Sequence, residues 1–521
     1  YIQPMTKGKV KGAHNLDEVK KIALDLIDEN QILKEQLKSL QNMIFGRKSE
    51  KTPKDDGQMS LFDMPEPELP ILEEEKEEEG VTIGEHTRKK RGRKPLPADL
   101  PRIDVIHEIS DDEKQCNCGC LKERIGQEES EQLDYIPAKV RVIRNIRYKY
   151  ACKNCEGVED DGPTVSIARM PDQIIPKSIA TPGLLAHILT AKFADALPFY
   201  RQEKQFSRIG IDLARSTMCT WAMNVAGACD ILIDMMRDDI ISGPMIGIDE
   251  TPLQVLKGPR KSKSYMWIFR GGPPDKPILL FQYHPSRSGD AASVFLNGYQ
   301  GIVQTDGYVG YDFLDAQKDI IHVGCWVHAR RKFKEVTKAA GNKTNSTGNA
   351  ASALKYISKL YKIEKEAVEN KLSPEQLYDQ RQSLAVPILD EFKIWLDTRV
   401  EKVPPKSLLG KAINYTLSQW DRLIQYTTDG IIRPDNNLVE NAIRPFVIGR
   451  KNWLFSDTVQ GARASASIYS LIETAKANSL EPYWYLKALF EHLPEAMTTE
   501  DFQALLPYNI DKAKLAGPAS S

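Results

Sequence analysis

Between Pro244 and Asp306 four runs of β-type residues follow one another: PMIGID, SYMWIFRG, PILLFQYH and GIVQTD. The first and last of them each end on an acid, Asp249 and Asp306. Apolar runs of strand length bounded by turn residues read as buried strands, so this stretch demands an α/β domain built on a sheet. If the first and last strands are neighbours, two carboxylates face each other at one end of that sheet. Like charges so close are tolerable only with cations between them, and Mg²⁺ takes such oxygen ligands. Two ions held this way activate an attacking oxygen and stabilise a leaving one across a phosphodiester. The competing structural readings are that Asp249, followed by Glu250, Thr251 and Pro252, starts a turn, and that Asp306 belongs to a DG turn.

A two-metal site needs a third carboxylate, and Glu440 in RPDNNLVENAIRPF is the candidate. Asn437 followed three residues later by Glu440 also fits a capping box, in which the glutamate reaches back to the cap's own N–H. The two uses compete for one side chain. A Glu440 bonded to the Asn437 N–H and far from the aspartates has structural duty alone, and Asp435 then takes its place as the third acid.

Cations cluster beside these acids in the sequence. CWVHARRKF places Cys325, His328, Arg330, Arg331 and Lys332 at the start of a helix, where the cations suit DNA phosphates. His328 reads equally as a core or capping residue. Arg444 lies one helical turn after Glu440, and Arg450 and Lys451 follow. Substrate contact and salt-bridge support both explain them. Trp453 suits stacking on an unpaired base, although burial is the commoner fate of a tryptophan.

At 521 residues the chain exceeds one core and should form several domains. From Leu16 to Ile44 apolar residues recur in heptads, with Leu16, Ala23, Leu37 and Ile44 at one seam position and Val19, Leu26, Leu33 and Leu40 at the other. Asn30 falls at an a position, where a buried amide favours a parallel two-stranded partner. An amphipathic helix packed on its own domain is the alternative. The net charge of -1 is a cancellation, since EEEKEEE (Glu73–Glu79) precedes RKKRGRK (Arg88–Lys94). Arg88, Lys89, Lys90, Arg91, Arg93 and Lys94 suit phosphate backbone through counterion release, and KRGRKPLP has the composition of a minor-groove hook.

Five of the eight cysteines crowd into CNCGC (Cys116, Cys118, Cys120) and YACKNC (Cys152, Cys155). Four thiolates from two knuckles joined by a β-hairpin make a closed zinc site, which stabilises a module too small to fold on apolar burial alone. Cys116, Cys118, Cys152 and Cys155 are the expected ligands, with Cys120 the substitute in the irregular first knuckle. Few cysteines, no long apolar run and no basic-apolar leader read as a cytosolic protein without a membrane span. From Ile179 to Met236 the pattern is helical, and ARSTMCTW after the IGIDL turn suits the second helix of a helix-turn-helix or an ordinary bundle.

Eight motifs in order, IFGRKSEK, RGRKPLPADLPR, the paired cysteines leading into KYACKNC, GIDETPLQVL, QTDGYVGYD, GCWVHARRKF, DNNLVENAIRPF and GRKNWLF, resemble those of the insertion sequence 66 transposases over nearly the whole chain. The resemblance implies an RNase H-like catalytic domain with an acid triad of the Asp-Asp-Glu type, at Asp249, Asp306 and Glu440. CNCGC departs from the two-residue spacer usual in that family. The expected fold is multidomain α/β: a coiled coil (1–50), an acidic/basic linker (51–101), a zinc module (102–165), a helical DNA-binding region (166–242), an RNase H-like domain (243–480) with a helical insertion at about 341–430, and a C-terminal helix and tail (481–521). The expected activity is metal-dependent cleavage at the ends of an insertion sequence and 3′-hydroxyl strand transfer into target DNA. It would use two Mg²⁺ ions, with Mn²⁺ an alternative, and one structural Zn²⁺. Expected partners are terminal-repeat and target DNA, a second copy or a larger synaptic complex, and accessory proteins of the same element, in a bacterial cytosol at the nucleoid. A non-catalytic DNA-binding regulator is the alternative.

Overall fold

The computed structural model describes residues 140–151, 165–168, 170–258, 263–339 and 348–515, together with Ala23, Leu26, Asn30, Leu33, Lys34 and Leu37. The expected zinc ligands Cys116, Cys118, Cys152 and Cys155, the substitute Cys120, the basic segment Arg88–Lys94 and most of the heptad region lie outside the described residues. The chain divides into two units, residues 73–170 and residues 1–72 with 171–521.

In the first unit, β1 (Lys149–Ala151) pairs antiparallel with β2 (Val165–Ile167), Tyr150 opposite Ser166. A hairpin between the cysteine pairs was the expectation for IPAKVRVIRNIRYKYAC. Residues of that run before 140 lie outside the described residues; among the described ones, 140–148 carry no strand and β1 pairs with a strand beyond the second cysteine pair. Val142 and Ile146 in that stretch are exposed, so alternating apolar residues there have no surface to pack on.

The second unit begins with α1 (Pro182–Phe193), α2 (Phe199–Arg208), α3 (Arg215–Ala228) and α4 (Asp230–Ile241). Pro182 opens α1 where a missing N–H costs nothing, and the Thr181 hydroxyl accepts from the Leu184 N–H at 3.2 Å. Gly210, at φ +81°, makes the turn between α2 and α3. Met218, Trp221 and Val225 bury the inner face of α3.

A five-stranded sheet follows, from β3 (Met245–Leu253), β5 (Ser264–Gly271), β6 (Ile278–His284), β7 (Gly301–Gln304) and β8 (Ile320–Val323), with short β4 (Val255–Lys257) and α5 (Asp290–Phe295) in the connections. Its order is β6-β5-β3-β7-β8. β6, β5 and β3 run antiparallel, and β3, β7 and β8 run parallel. Neighbouring residues of β7 enter different cores, Ile302 one and Val303 the other, as the two-residue period of a sheet covered on both faces requires.

After β8 come α6 (Trp326–Ala339) and the helices α7 (Asn349–Glu369), α8 (Pro374–Gln380), α9 (Val386–Val400), α10 (Leu408–Ser418) and α11 (Trp420–Leu423). All of these but α8 share one core with Ile302, Val323 and Trp326. A π-turn, Arg381–Ala385, joins α8 to α9 and places Arg381 almost wholly out of water. Its guanidinium pairs with both oxygens of Glu364 (2.8 and 2.7 Å) and donates to the carbonyls of Tyr426, Asp429 and Ile432. Those carbonyls belong to the segment leading into α12 (Asn437–Trp453). Arg381 therefore fixes the approach to the helix that carries Glu440.

The chain then returns through β9 (Ser456–Thr458), parallel to β4, into α13 (Val459–Ala477). α13 guards the edge strand β6: Ser470 Oγ accepts from the Phe281 N–H (2.8 Å), and Thr474 Oγ1 bonds both polar groups of Leu279. α14 (Pro482–His492) and α15 (Thr499–Leu505) finish the unit, so the tail holds two helices where one was expected. Thr498 and Asp501 form the capping box that starts the second.

Candidate active site

The parallel register pairs Gly247 of β3 with Gln304 of β7. Asp249 stands two residues beyond this pair within β3 and Asp306 two residues beyond it, just past the end of β7, and Asp306 is among the carboxylates that act on Asp249 and on Glu250. Asp249 is inside β3, opposite Ile268 of β5, and the strand continues to Leu253. A turn at Asp249 is thereby replaced by an uninterrupted strand. β7 ends at Gln304, and Asp306 begins a loop in which its Oδ1 accepts the Tyr308 N–H at 2.9 Å.

Gly247 lets a helix reach these acids. A Cβ there would fall 2.4 Å from Val439 Cγ2 and 3.2 Å from Asn436 Oδ1, so the start of α12 rests directly on the β3 backbone. Asn436 also donates from Nδ2 to the Ile248 carbonyl at 3.0 Å. The expected capping box does not form. Asn436, not Asn437, is the N-cap residue, and its side chain is spent on β3 rather than on the helix. Asp435 accepts the Asn437 N–H at 3.2 Å and the Tyr361 hydroxyl at 3.1 Å, so capping and tethering occupy the acid that was the alternative to Glu440.

Glu440 is consequently free of cap duty. Its Oε1 lies 3.7 Å from His328 Nδ1 and its Oε2 4.0 Å from Arg331. Oε1 and His328 Nδ1 are both buried without a hydrogen-bond partner. Among the described residues, the ligand atoms of Cys325, His328 and Glu440 form the one group of three lying within 4.8 Å of one another. The two aspartates are outside that tight group, but they share its field. Burial, then Glu250, Glu440 and Asp306, push the Asp249 carboxyl well above the usual carboxylate range, and only the Glu250 N–H opposes them. Burial foremost also lowers His328, against the pull of Glu440 and Asp306, and raises the Cys325 thiol.

Several residues that the sequence did not mark support the acids. Glu250, on the opposite face of β3, accepts from Arg287 Nε (2.6 Å) and from the Tyr311 hydroxyl. The Tyr311 bond holds the segment after Asp306 against the strand bearing Asp249, and Arg287 reaches the same segment by lying over the Tyr308 ring at 3.8 Å. Behind Asp306, Thr305 Oγ1 meets His322 Nε2 at 2.9 Å and His322 Nδ1 meets Asp315 at 2.7 Å. Arg422 clamps Asp312 and Asp315 in turn. From α10, Tyr415 covers the Asp306 loop so closely that a Cβ on Gly307 would lie 2.5 Å from its hydroxyl. The glycine inside a strand run, GID, was a sequence signal for the close approach of α12 to β3, not for these contacts.

The cations divide. Arg331 faces Glu440, and Lys332 lies over the Tyr415 ring at 4.5 Å. Arg330 and Arg444 are half-buried on α6 and α12. Arg450 turns inward: its Nη1 donates to Thr251 Oγ1 at 3.0 Å and to the Pro252 carbonyl, so it secures the end of β3 instead of pointing to solvent. Lys451 is exposed in the last turn of α12. Trp453 packs edge-on against Phe446, in keeping with burial rather than stacking on a base.

A mixed sheet with acids at the mouth of its parallel strands, and a glutamate delivered by a helix laid on it, defines an α/β protein with an acidic, cation-ready centre. Comparison with known proteins makes this specific: the chain belongs to the IS66 transposase family. A family model described as "Transposase IS66 family" matches residues 177–464. Others match residues 32–105 ("Transposase C of IS166 homeodomain"), 113–156 ("zinc-finger binding domain of transposase IS66") and 470–508 ("IS66 C-terminal element"). Among relatives, the uncharacterized protein y4jD of Sinorhizobium fredii is 32% identical, covering 97% of this chain and 98% of its own. The uncharacterized protein y4qI of the same organism is 31% identical over 91% of this chain and 88% of its own. Among the described residues no helix is long and apolar enough to cross a membrane.

Proposed function

We propose that this chain is a DNA transposase that cuts at the ends of its insertion sequence and joins the freed 3′-hydroxyl to target DNA, with Asp249, Asp306 and Glu440 as the catalytic acids. The observation that carries the reading is the equal step of Asp249 and Asp306 beyond one parallel register pair, whose β3 member, Gly247, is the residue on which α12 rests. The strand order, three antiparallel strands followed by two parallel ones, supports an RNase H-like domain.

The residues fit divalent cations of the Mg²⁺ or Mn²⁺ kind. Burial foremost, and then the carboxylates of Glu250, Glu440 and Asp306, raise Asp249, and Glu440 Oε1 is buried without a hydrogen-bond partner. A ligand set shared by two ions roughly 3.5–4 Å apart is wider than one built round a single ion, in keeping with aspartates that stand outside the tight group. When bound, such ions activate the attacking oxygen and offset charge on the leaving one. Asp249 and Asp306 would hold them from the sheet and Glu440 from α12. Tyr308, Thr305 and Glu250 keep the Asp306 loop in place, while Arg330, Arg331, Lys332, Arg444 and Lys451 offer positive charge for phosphates. Arg88–Lys94 would add sequence-independent affinity, and Cys116, Cys118, Cys152 and Cys155 would hold one structural zinc.

Cleavage and joining of DNA carrying the element's terminal repeats, with Mg²⁺, tests the reading. Asp249→Asn, Asp306→Asn and Glu440→Gln should each lose activity by on the order of 10³-fold, the scale of removing a group that stabilises transition-state charge, while retaining end binding. Undiminished cleavage in any one removes that residue from the triad. A parent that binds ends but never cuts them makes the chain a DNA-binding regulator.

A further inference from the structure

Cys325 precedes α6 and His328 lies one turn further on, so the C-x-x-H pair presents both side chains to one side. Glu440 meets them from α12, and the three ligand atoms lie within 4.8 Å of one another. The gap between His328 Nδ1 and Glu440 Oε1, 3.7 Å, is too long for a hydrogen bond, and both atoms are buried and unpartnered. Two donors each about 2.1 Å from a tetrahedral ion stand about 3.4 Å apart, so the opening has the width that one ion fills. Cys325 Sγ is already oriented: it accepts the Asn436 N–H at 3.3 Å and the His328 N–H. Backbone donors on sulfur are what a metal-bound thiolate needs around it.

We infer that Cys325, His328 and Glu440 form a second, thiolate-bearing metal site that binds a borderline-soft ion of the Zn²⁺ class and cross-links α6 to α12. Sulfur, imidazole and carboxylate together suit Zn²⁺ and Co²⁺ far better than Mg²⁺, and three protein ligands leave a fourth position for water. On binding, the Cys325 proton leaves to solvent. The ion fixes Glu440 to α6, so the acid proposed for strand cleavage also belongs to a site that cleavage chemistry does not require.

The test is cobalt binding to the full-length chain preloaded with one equivalent of Zn²⁺ to fill its cysteine-rich module. The parent should take up about one further Co²⁺ per chain with thiolate-to-cobalt charge-transfer absorption, the signature of a Cys ligand. Cys325→Ser should abolish that absorption, and His328→Gln and Glu440→Gln should weaken Co²⁺ affinity at least tenfold. Asp249→Asn should leave the absorption unchanged, which separates this site from the acid triad: loss of cleavage in that variant says nothing against the thiolate site. Absence of the additional absorption in the parent, whose folding is not in question, overturns the proposal, as does its survival in Cys325→Ser.

Discussion

Asp249 bears the electrostatic strain of the site. Its carboxyl is held well above the usual range by burial foremost and then by Glu250, Glu440 and Asp306. The sign follows from linkage. A group with a raised folded pKa contributes stability that is fully present below its unfolded value and is lost as pH rises through the folded one. Metal-free protein should therefore melt progressively lower as pH rises above the usual carboxylate range, and Asp249→Asn should flatten that fall. Mg²⁺ should stabilise the parent most at the higher-pH end, by up to about 2.7 kcal/mol at a hundred times Kd, and raise its melting temperature there. Melting curves of parent and Asp249→Asn with and without Mg²⁺ measure this, and an equal Mg²⁺ shift in both would remove Asp249 from the metal site. Asp249 stood out in PMIGID as a carboxylate closing an apolar run, although the start of a turn read as well from the residues that follow it. Its register with Asp306 was not legible, since strand pairing is a tertiary fact that neither run contains.

At the scale of elements, the decisive contact is α12 on β3. Gly247→Ala would force a methyl against Val439, an overpacking worth roughly 1–3 kcal/mol that α12 relieves by moving away. A shift of about 1 Å at Glu440 is enough to cost on the order of 10² in rate. Cleavage should fall accordingly in Gly247→Ala and recover in Gly247→Ala with Val439→Ala, and failure of the second change to restore it would show that Gly247 serves another purpose. The insertion acts on the same helix through Arg381. Arg381→Met leaves the half-buried Glu364 without its partner and the carbonyls of Tyr426 and Ile432 without the donor they have here, so a loss of roughly 3 kcal/mol is expected, while Arg381→Met with Glu364→Leu should regain most of it. Denaturant unfolding of the single and double variants decides the point. The helices of the insertion could be read from their periodicity, but Arg381 looked like any surface arginine in PEQLYDQRQSLAV. Its partners lie 17 to 51 residues away, beyond the reach of local pattern.

For the whole molecule, the question is what brings two DNA ends to one assembly, since a single chain carries one set of Asp249, Asp306 and Glu440. The heptad helix supplies an answer. Ala23, Leu26, Asn30, Leu33 and Leu37 all fall on its seam; the described seam positions are helical, and Leu33 and Leu37 remain 53% and 59% exposed. Leucines repeated on one stripe and left in water favour a second copy laid alongside, and Asn30 would set the register by pairing with its counterpart. Deleting the residues before Lys48 should then halve the solution mass measured by light scattering, whereas Asn30→Leu should keep the association, strengthen it and admit higher oligomers. If the truncated chain keeps the parent's mass, dimerisation belongs to the catalytic unit and the seam serves another partner. If the parent itself is monomeric at micromolar concentration, synapsis must come from DNA, with the basic segment Arg88–Lys94 as its first point of attachment.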